Sequence, residues 1–398
     1  MGDIRGNRMT KLKGDRVIWV IFILFAMISL AVVYSASSAL AYRGNTTPML
    51  IMFRQAGYFV LGFLIVLACY RIPLKYYRLG SYVLLALSVI LLAIPILTHG
   101  LRTFSIAGIS IQPSEIAKIA VVLYLARVIE TSSFSTFKEY LLKILLPLGV
   151  VCVLCLMGSV SATLIICFIA FIILMCSRIP KKYILWTVPI VIGALGLIVL
   201  IHAATGAFSR LDTFTARVER HLSRNSTEEM TAAEIQEQED KTFQERQARE
   251  AIQLGGVFGR GPGNSIKRDT LPNAYDDYIY AIIVEEYGLL GGTAVILLYL
   301  WFFFRCLRIA NACSKDFSII TVLGLSTLIT IQAFLHIFVN IGFLPVTGQT
   351  LPMISRGGTS LVIMSSAFGI ILSVNRTIEI KDLKTKAEKE AQSCSTES

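Results

Sequence analysis

Apolar residues run along this chain in long blocks separated by polar links, without the one-sided striping of helices that pack against a soluble core. A helix that crosses a bilayer needs about 20 consecutive, mostly apolar residues. Ten blocks answer that description, at about 17–36, 50–69, 80–98, 114–130, 141–157, 160–177, 183–202, 279–304, 317–339 and 353–374. The fifth and sixth are parted only by a tight break at Gly158 and Ser159, which leaves nine as the other count. The pattern predicts an all-α polytopic membrane protein of about ten transmembrane helices: 17–202 carries helices one to seven, 203–278 is one large loop, and 279–374 carries helices eight to ten. Within the loop, Ser226 and Glu229 have capping-box spacing ahead of "EEMTAAEIQEQEDKTFQERQAREAI", which predicts a surface helix with a polar face. The tail 375–398 is polar and is expected to be disordered. There is no internal repeat or low-complexity tract.

Composition agrees with this pattern. Apolar residues make up 55% and charged residues 16% of 398 positions, a balance that excludes an ordinary soluble domain. The first apolar block is long and no small-residue cleavage pattern follows it, which argues against a cleaved signal peptide. A formal charge of +11 on a soluble chain would suggest nucleic acid. Here the basic residues stand between apolar blocks, so membrane topology accounts for them and nucleic acid is not an expected partner. The clusters are Arg5, Arg8, Lys11, Lys13 and Arg16; Arg71, Lys75 and Arg78; Arg127, Lys138 and Lys143; Arg178, Lys181 and Lys182; Arg305, Arg308 and Lys315; and Arg376, Lys381, Lys384, Lys386 and Lys389. They fall on alternate links. The positive-inside rule then places 1–16 and 375–398 in the cytoplasm and the 203–278 loop outside. Cys152 and Cys155 form a CxxC, but no second pair or histidine cluster accompanies it, and helix packing is the better reading of the eight cysteines.

Four stretches carry chemistry. "LPNAYDDYIYAIIVEEYGLLGG" (271–292) sets Asp276 and Asp277 at the edge of an apolar block and Glu285 and Glu286 inside it. Asp276 alone reads as a helix cap. A charge at mid-span, however, costs about 2.5–3.5 kcal/mol, so the cluster is expected to line a polar site. In "ISIQPSEIAKIAVVLYLAR" (109–127), Pro113 and Glu115 suit a first helical turn, and Lys118 shares a face with Glu115. A structural ion pair and a ligand contact fit that spacing equally. "LGGVFGRGPGNSIKRDTLP" (254–272) holds five glycines and is not a Walker loop; it reads as a backbone able to approach a ligand or as a flexible outer loop. "NIGFLPVTGQTLPMISRGGTS" (340–360) interrupts two spans and offers Arg356, either in a wet cavity or in an ordinary re-entrant turn. All four fall on the outward side, which points jointly to an outward-facing cavity with carboxylates, a lysine, an arginine and a glycine loop.

These stretches resemble the signatures of the SEDS family (shape, elongation, division and sporulation), the FtsW/RodA/SpoVE polytopic membrane proteins. "QPSEIAK", "GGVFGRGPGNS", "LPNAYDDYIYAIIVEEYGLLGG" and "NIGFLPVTGQTLPMISRGGTS" look like four family elements in the family order, and the wording is most similar to the FtsW division branch of Bacteroidota type. The resemblance implies a peptidoglycan glycosyltransferase of the cytoplasmic membrane. It would polymerise lipid II, a disaccharide pentapeptide on undecaprenyl diphosphate, at the extracytoplasmic face. Its implied partners are a class B penicillin-binding protein and other divisome proteins. A divalent cation, magnesium or manganese, is implied with no readable ligands. The family's essential aspartate falls on Asp277, its lysine on Lys118 and the acid of the same element on Glu115; the catalytic role is not carried to Asp276. Arg356, Gly261, Gly263, Ser265, Glu285 and Glu286 join Lys118 and Glu115 as candidate substrate-binding residues. Asn273 stands where glutamate is usual, Arg356 where tyrosine is common, and "LMGSVSATLI" lacks an expected acid near Ser159. A lipid II flippase or a divisome scaffold would share the spans and is the alternative reading.

Overall fold

The computed structural model describes residues 14–37, 47–97, 104–106, 109–205, 209–222, 232–268, 270–271 and 274–396. Among these, α1 (Arg16–Ala36), α2 (Pro48–Arg71), α3 (Leu74–Leu97), α4 (Pro113–Thr131), α5 (Phe137–Gly158), α6 (Val160–Met175) and α7 (Lys181–Thr205) precede the large loop. The loop holds α8 (Ser209–Leu222) and α9 (Ala232–Gly255), and α10 (Ile279–Asn311), α11 (Asp316–Asn340) and α12 (Gly358–Thr396) follow. Local chemistry sets several boundaries. Asp15 caps α1 by accepting from Val17 N–H at 2.8 Å, and Thr47 caps α2 with Pro48 at its first position. Ser159, with extended backbone, ends α5 and caps α6, so the Gly158–Ser159 break separates two helices as the sequence suggested.

Each of the ten expected blocks is found as a helix. Among the described residues, eight are long and apolar enough to cross a membrane. The other two are α4, which carries Glu115, Lys118, Arg127 and Glu130, and α6, whose 16 residues span about 24 Å. Both pack inside the same bundle. α11 and α4 are its buried centre, whereas α7 turns Leu185, Trp186, Ile192 and Leu200 outward. Large exposed apolar side chains of that kind suit a lipid surround.

The structure differs from expectation at three places. A short antiparallel hairpin, β1 (Phe104–Ile106) with β2 (Ile109–Ile111), pairs Ser105 with Ser110 just before α4. The last span starts at Gly358 instead of 353, because Pro352, Met353 in left-handed backbone (φ 66) and Gly357 keep the chain turning. The tail expected to be disordered continues α12 to Thr396, as its Lys, Glu and Ala content favours. The surface helix of the large loop is present as α9, but its Ser226 and Glu229 capping box lies outside the described residues, as does Asn273. The described cysteines are free; Cys155 is buried, and Cys152 Sγ lies 3.6 Å from Cys167 Sγ across α5 and α6.

A candidate active site at one end of the bundle

Four segments converge where α10 begins: the end of α9 with its glycine loop, the strip 274–278, the turn-rich segment 341–357, and the first turn of α4. α9 docks through small residues. Ala248 and Ala251 meet Ala36, Leu271, Ala274, Tyr278, Ala281 and Ile282 in a compact apolar cluster. Short side chains let the backbones approach closely, so α9 presses the aspartate strip against the bundle.

The strip is fixed by its backbone. Arg356 N–H donates to Tyr275 O at 3.0 Å, Ser355 Oγ donates to Asp276 O at 2.8 Å, and Asn340 Nδ2 donates to Asp277 O at 3.0 Å. Three consecutive carbonyls are thus claimed by three residues of the 340–356 segment. Asn340 also donates to His336 O at 2.9 Å and accepts at 3.0 Å from Ala281 N–H, which is shared with Tyr278 O at 3.0 Å in the first turn of α10. With their backbones held, the Asp276 and Asp277 residues stand half-buried at the start of a span. The Arg356 guanidinium lies 4.9 Å over the Tyr275 ring. Burial and the neighbouring Asp277 push the Asp276 carboxyl up to about 7, against the pull of Arg356, and Asp276 Oδ1 has no hydrogen-bond partner among the described residues.

The segment 341–357 is anchored on its other side by the bundle. Ser29 donates to Ile354 O at 2.8 Å, Gln55 donates to Ser29 Oγ at 3.0 Å, and Tyr299 donates to Pro352 O. Lys118 completes this anchoring. Its ammonium donates to Glu115 Oε1 at 2.6 Å, Gln332 Oε1 at 2.8 Å and Gln349 Oε1 at 3.4 Å, and the residue is 1% exposed. Of the two uses the spacing allowed, the structure shows the ion pair, extended into a latch that ties α4 to α11 and to the 341–357 segment. His336 Nδ1 meets Gln349 O at 2.9 Å on the same polar strip of α11.

Glu285 and Glu286 are buried further along α10. Glu285 accepts the Ser265 hydroxyl and the Ile266 and Lys267 N–H groups at 2.8 and 3.3 Å, closing the turn that follows the glycines. Glu286 accepts the Ser35 hydroxyl. α10 is kinked at Gly288 (φ 70, ψ −171), and the glycine loop fills the kink. Arg260 N–H and Gly261 N–H donate to Glu285 O and Glu286 O at 3.0 and 2.9 Å, while Leu289 and Leu290 N–H return to Gly256 O and Val257 O. A side chain on Gly259 or Gly288 would strike the opposite backbone, which is why glycine stands at both. Gly263 and Ser265, with Arg260, Asn264 and Arg268, line a cavity of about 560 Å³ beside this loop.

The structure therefore brings Asp277, Asp276 and Arg356 together on one accessible strip, and makes Lys118, Glu115, Glu285, Glu286 and Ser265 the fastenings around it. The sequence reading did not single out Gln332, His336, Gln349 or Ser355. The first two had a usable signal: with Asn340 they recur every fourth residue in an otherwise apolar block, so they share one helix face.

A bundle of apolar helices with polar, clamped loops gathered at one end defines an integral membrane protein with a site at the membrane edge. The chain belongs to the family described as cell cycle protein, of the FtsW, RodA and SpoVE type, whose pattern matches residues 15–379. The chain is 30% identical over 371 residues to the probable peptidoglycan glycosyltransferase FtsW of Nitrosomonas europaea, covering 89% of this chain and 90% of that one. The protein of the same description from Bacillus subtilis is 32% identical over 292 residues, covering 72% and 69%. Among solved structures, a chain described under structural coordination of polymerization and crosslinking by a peptidoglycan synthase complex superposes with TM-score 0.71 at 21% identity, covering 92% of this chain and 99% of that one. Thermus thermophilus RodA superposes with TM-score 0.64 at 20% identity, covering 91% and 97%.

Proposed function

We propose that this chain is a peptidoglycan glycosyltransferase that polymerises lipid II during cell division and releases undecaprenyl diphosphate. The observation that carries the reading is the triple clamp on the carbonyls of Tyr275, Asp276 and Asp277. It holds an accessible carboxylate at the start of a span, where a sugar on a lipid anchor would arrive. The description shared by relatives from distant bacteria, over most of each chain, supports the same activity.

The reaction joins the 4-hydroxyl of one lipid II to the anomeric carbon of another. Asp277 takes the hydroxyl proton as the new C–O bond forms and the bond to the diphosphate breaks. A positioned carboxylate base contributes about 10²–10⁴-fold. The leaving diphosphate gains negative charge, and Arg356 is the cation of the accessible strip. Lys118 already donates to three acceptors, so it acts by holding the 341–357 segment and by its charge. The described residues hold no group of three or more His, Cys, Asp or Glu that could bind a metal ion. Arg356 also sets a fixed positive charge beside Asp276. Magnesium is commonly held by one or two carboxylates together with substrate phosphates, so Asp276 and Asp277 are the residues that would hold such an ion here.

Ten spans, with both termini in the cytoplasm, put this strip on the extracytoplasmic face of the cytoplasmic membrane, and the distribution of Lys and Arg supports that orientation. A class B penicillin-binding protein, which cross-links the product, and other division proteins are the expected partners. The test is polymerisation of labelled lipid II by the purified chain with its partner. Asp277→Asn is expected to lower the yield of muramidase-sensitive polymer by at least 10²-fold while the protein elutes and melts as the parent does. Polymer formation at the parent rate removes Asp277 from the mechanism, and lipid II transport into vesicles without polymer would establish a flippase.

A further inference from the structure

At the other end of the bundle, roughly 40 Å along α10 from the aspartates, a cavity of about 500 Å³ opens where α1 begins, α10 ends and α12 passes. Of its two carboxylates, one is paired with a cation and the other accepts from a backbone N–H. Asp15 accepts from Val17 N–H at 2.8 Å and pairs with Arg305, and Glu379 accepts from Gly14 N–H at 2.7 Å. Two further cations line it, Arg16 and Arg308. Both are exposed, and neither makes an ion pair or side-chain hydrogen bond with another described residue. The rest of the wall includes Val17, Ile309 and Ile378. The cavity thus sets three guanidinium groups, Arg16, Arg305 and Arg308, against two carboxylates, Asp15 and Glu379, beside an apolar wall at the basic rim of the bundle, near where Arg71 and Arg376 also lie.

From this arrangement we propose that the cavity binds the phosphate of an anionic phospholipid, with Arg16 and Arg308 on the headgroup and the apolar wall against the upper acyl chain. Guanidinium groups match phosphate oxygens in pairs, and basic pockets between spans select anionic headgroups. The apolar wall favours a lipid over a free phosphate, which would gain nothing from it. The site is independent of the glycosyltransferase reading, since it shares no residue with the aspartate strip.

The experiment titrates the purified full chain in zwitterionic detergent with fluorescent phosphatidylglycerol. Phosphatidylcholine and inorganic phosphate serve as the comparison arms. Each basic residue at a membrane surface is worth about fivefold in affinity, so Arg16→Gln with Arg308→Gln is expected to weaken phosphatidylglycerol binding about 25-fold. Lys75→Gln, a basic-rim residue outside the cavity, is expected to change it less than about twofold. Both arginines are exposed, so the double variant should melt as the parent does. Parent-like binding by the double variant overturns the proposal, as does equal affinity for phosphatidylcholine. Displacement of the labelled lipid by millimolar inorganic phosphate would show a free-phosphate site and overturn the lipid assignment.

Discussion

Asp276→Asn tests the electrostatics of the aspartate strip more directly than any other single change. In the folded chain, burial and Asp277 carry the Asp276 carboxyl from 3.8 to about 7. Three pH units correspond to about 4 kcal/mol between the two protonation states. The residue is half-buried and Arg356 stands near it, so relaxation and solvent at its exposed side bring the expected size to about 2 kcal/mol. The sign follows from where the proton is held more tightly. The folded state keeps it to higher pH than the unfolded chain does. Its stabilising effect is therefore complete below about pH 4 and is lost as pH rises through 7. Asparagine does not ionise, so the variant lacks that loss. Thermal unfolding at a fixed scan rate, followed by intrinsic fluorescence in one detergent at pH 4.5, 6 and 8.5, reads the difference. The variant should gain on the parent from pH 4.5 to about 7 and level off above it, by a few degrees at the top, and should still polymerise lipid II because Asp277 remains. Melting curves that stay parallel from pH 4.5 to 8.5 would show that Asp276 titrates as an ordinary surface carboxyl and that the strip is wetter than its geometry implies.

The other predictions concern the fastenings. Lys118→Met strands the buried Glu115 and should destabilise by about 3–5 kcal/mol, whereas adding Glu115→Gln should recover much of that loss in a thermal double-mutant cycle; strictly additive effects would show the two are uncoupled. Asn340→Ala removes three hydrogen bonds and leaves the Ala281 N–H and Asp277 carbonyl without this partner. A destabilisation of about 2–4 kcal/mol is expected, together with a lower kcat at nearly unchanged KM, and a variant with parent kcat would show that the Asp277 backbone needs no clamp.

Much of this architecture is legible in the chain because a bilayer imposes a simple code. Ten apolar blocks became ten helices, and Glu115 with Lys118, three apart, gave an ion pair by local geometry alone. The reading ran out where partners are remote. Gln332 and Gln349 reach Lys118 from 214 and 231 residues away, and no local pattern announces either contact. Glu285 and Glu286 illustrate the same limit. In sequence they extend the acidic run that begins at Asp276, and they read as part of one cavity. In the structure the kink at Gly288 admits the glycine loop, and Glu285 turns to cap it. The spacing of Gln332, His336 and Asn340 could have been read as a polar face, but a face does not say which residue it will meet.

The division among the four acids follows from where backbone order is needed. A glycine-rich loop has little side-chain packing to hold it, so a buried carboxylate accepting one hydroxyl and two N–H groups is an effective way to fix its path. The Asp277 carbonyl is held by Asn340, which stands one helical turn beyond His336 on the strip that also carries the Lys118 latch. Release of that latch would loosen the segment 341–357, and with it Ser355 and Arg356, two of the three donors to the aspartate strip. In Lys118→Met, polymerisation should consequently fall even in preparations where the bundle remains folded. Retention of full activity in such preparations would separate the latch from the clamp.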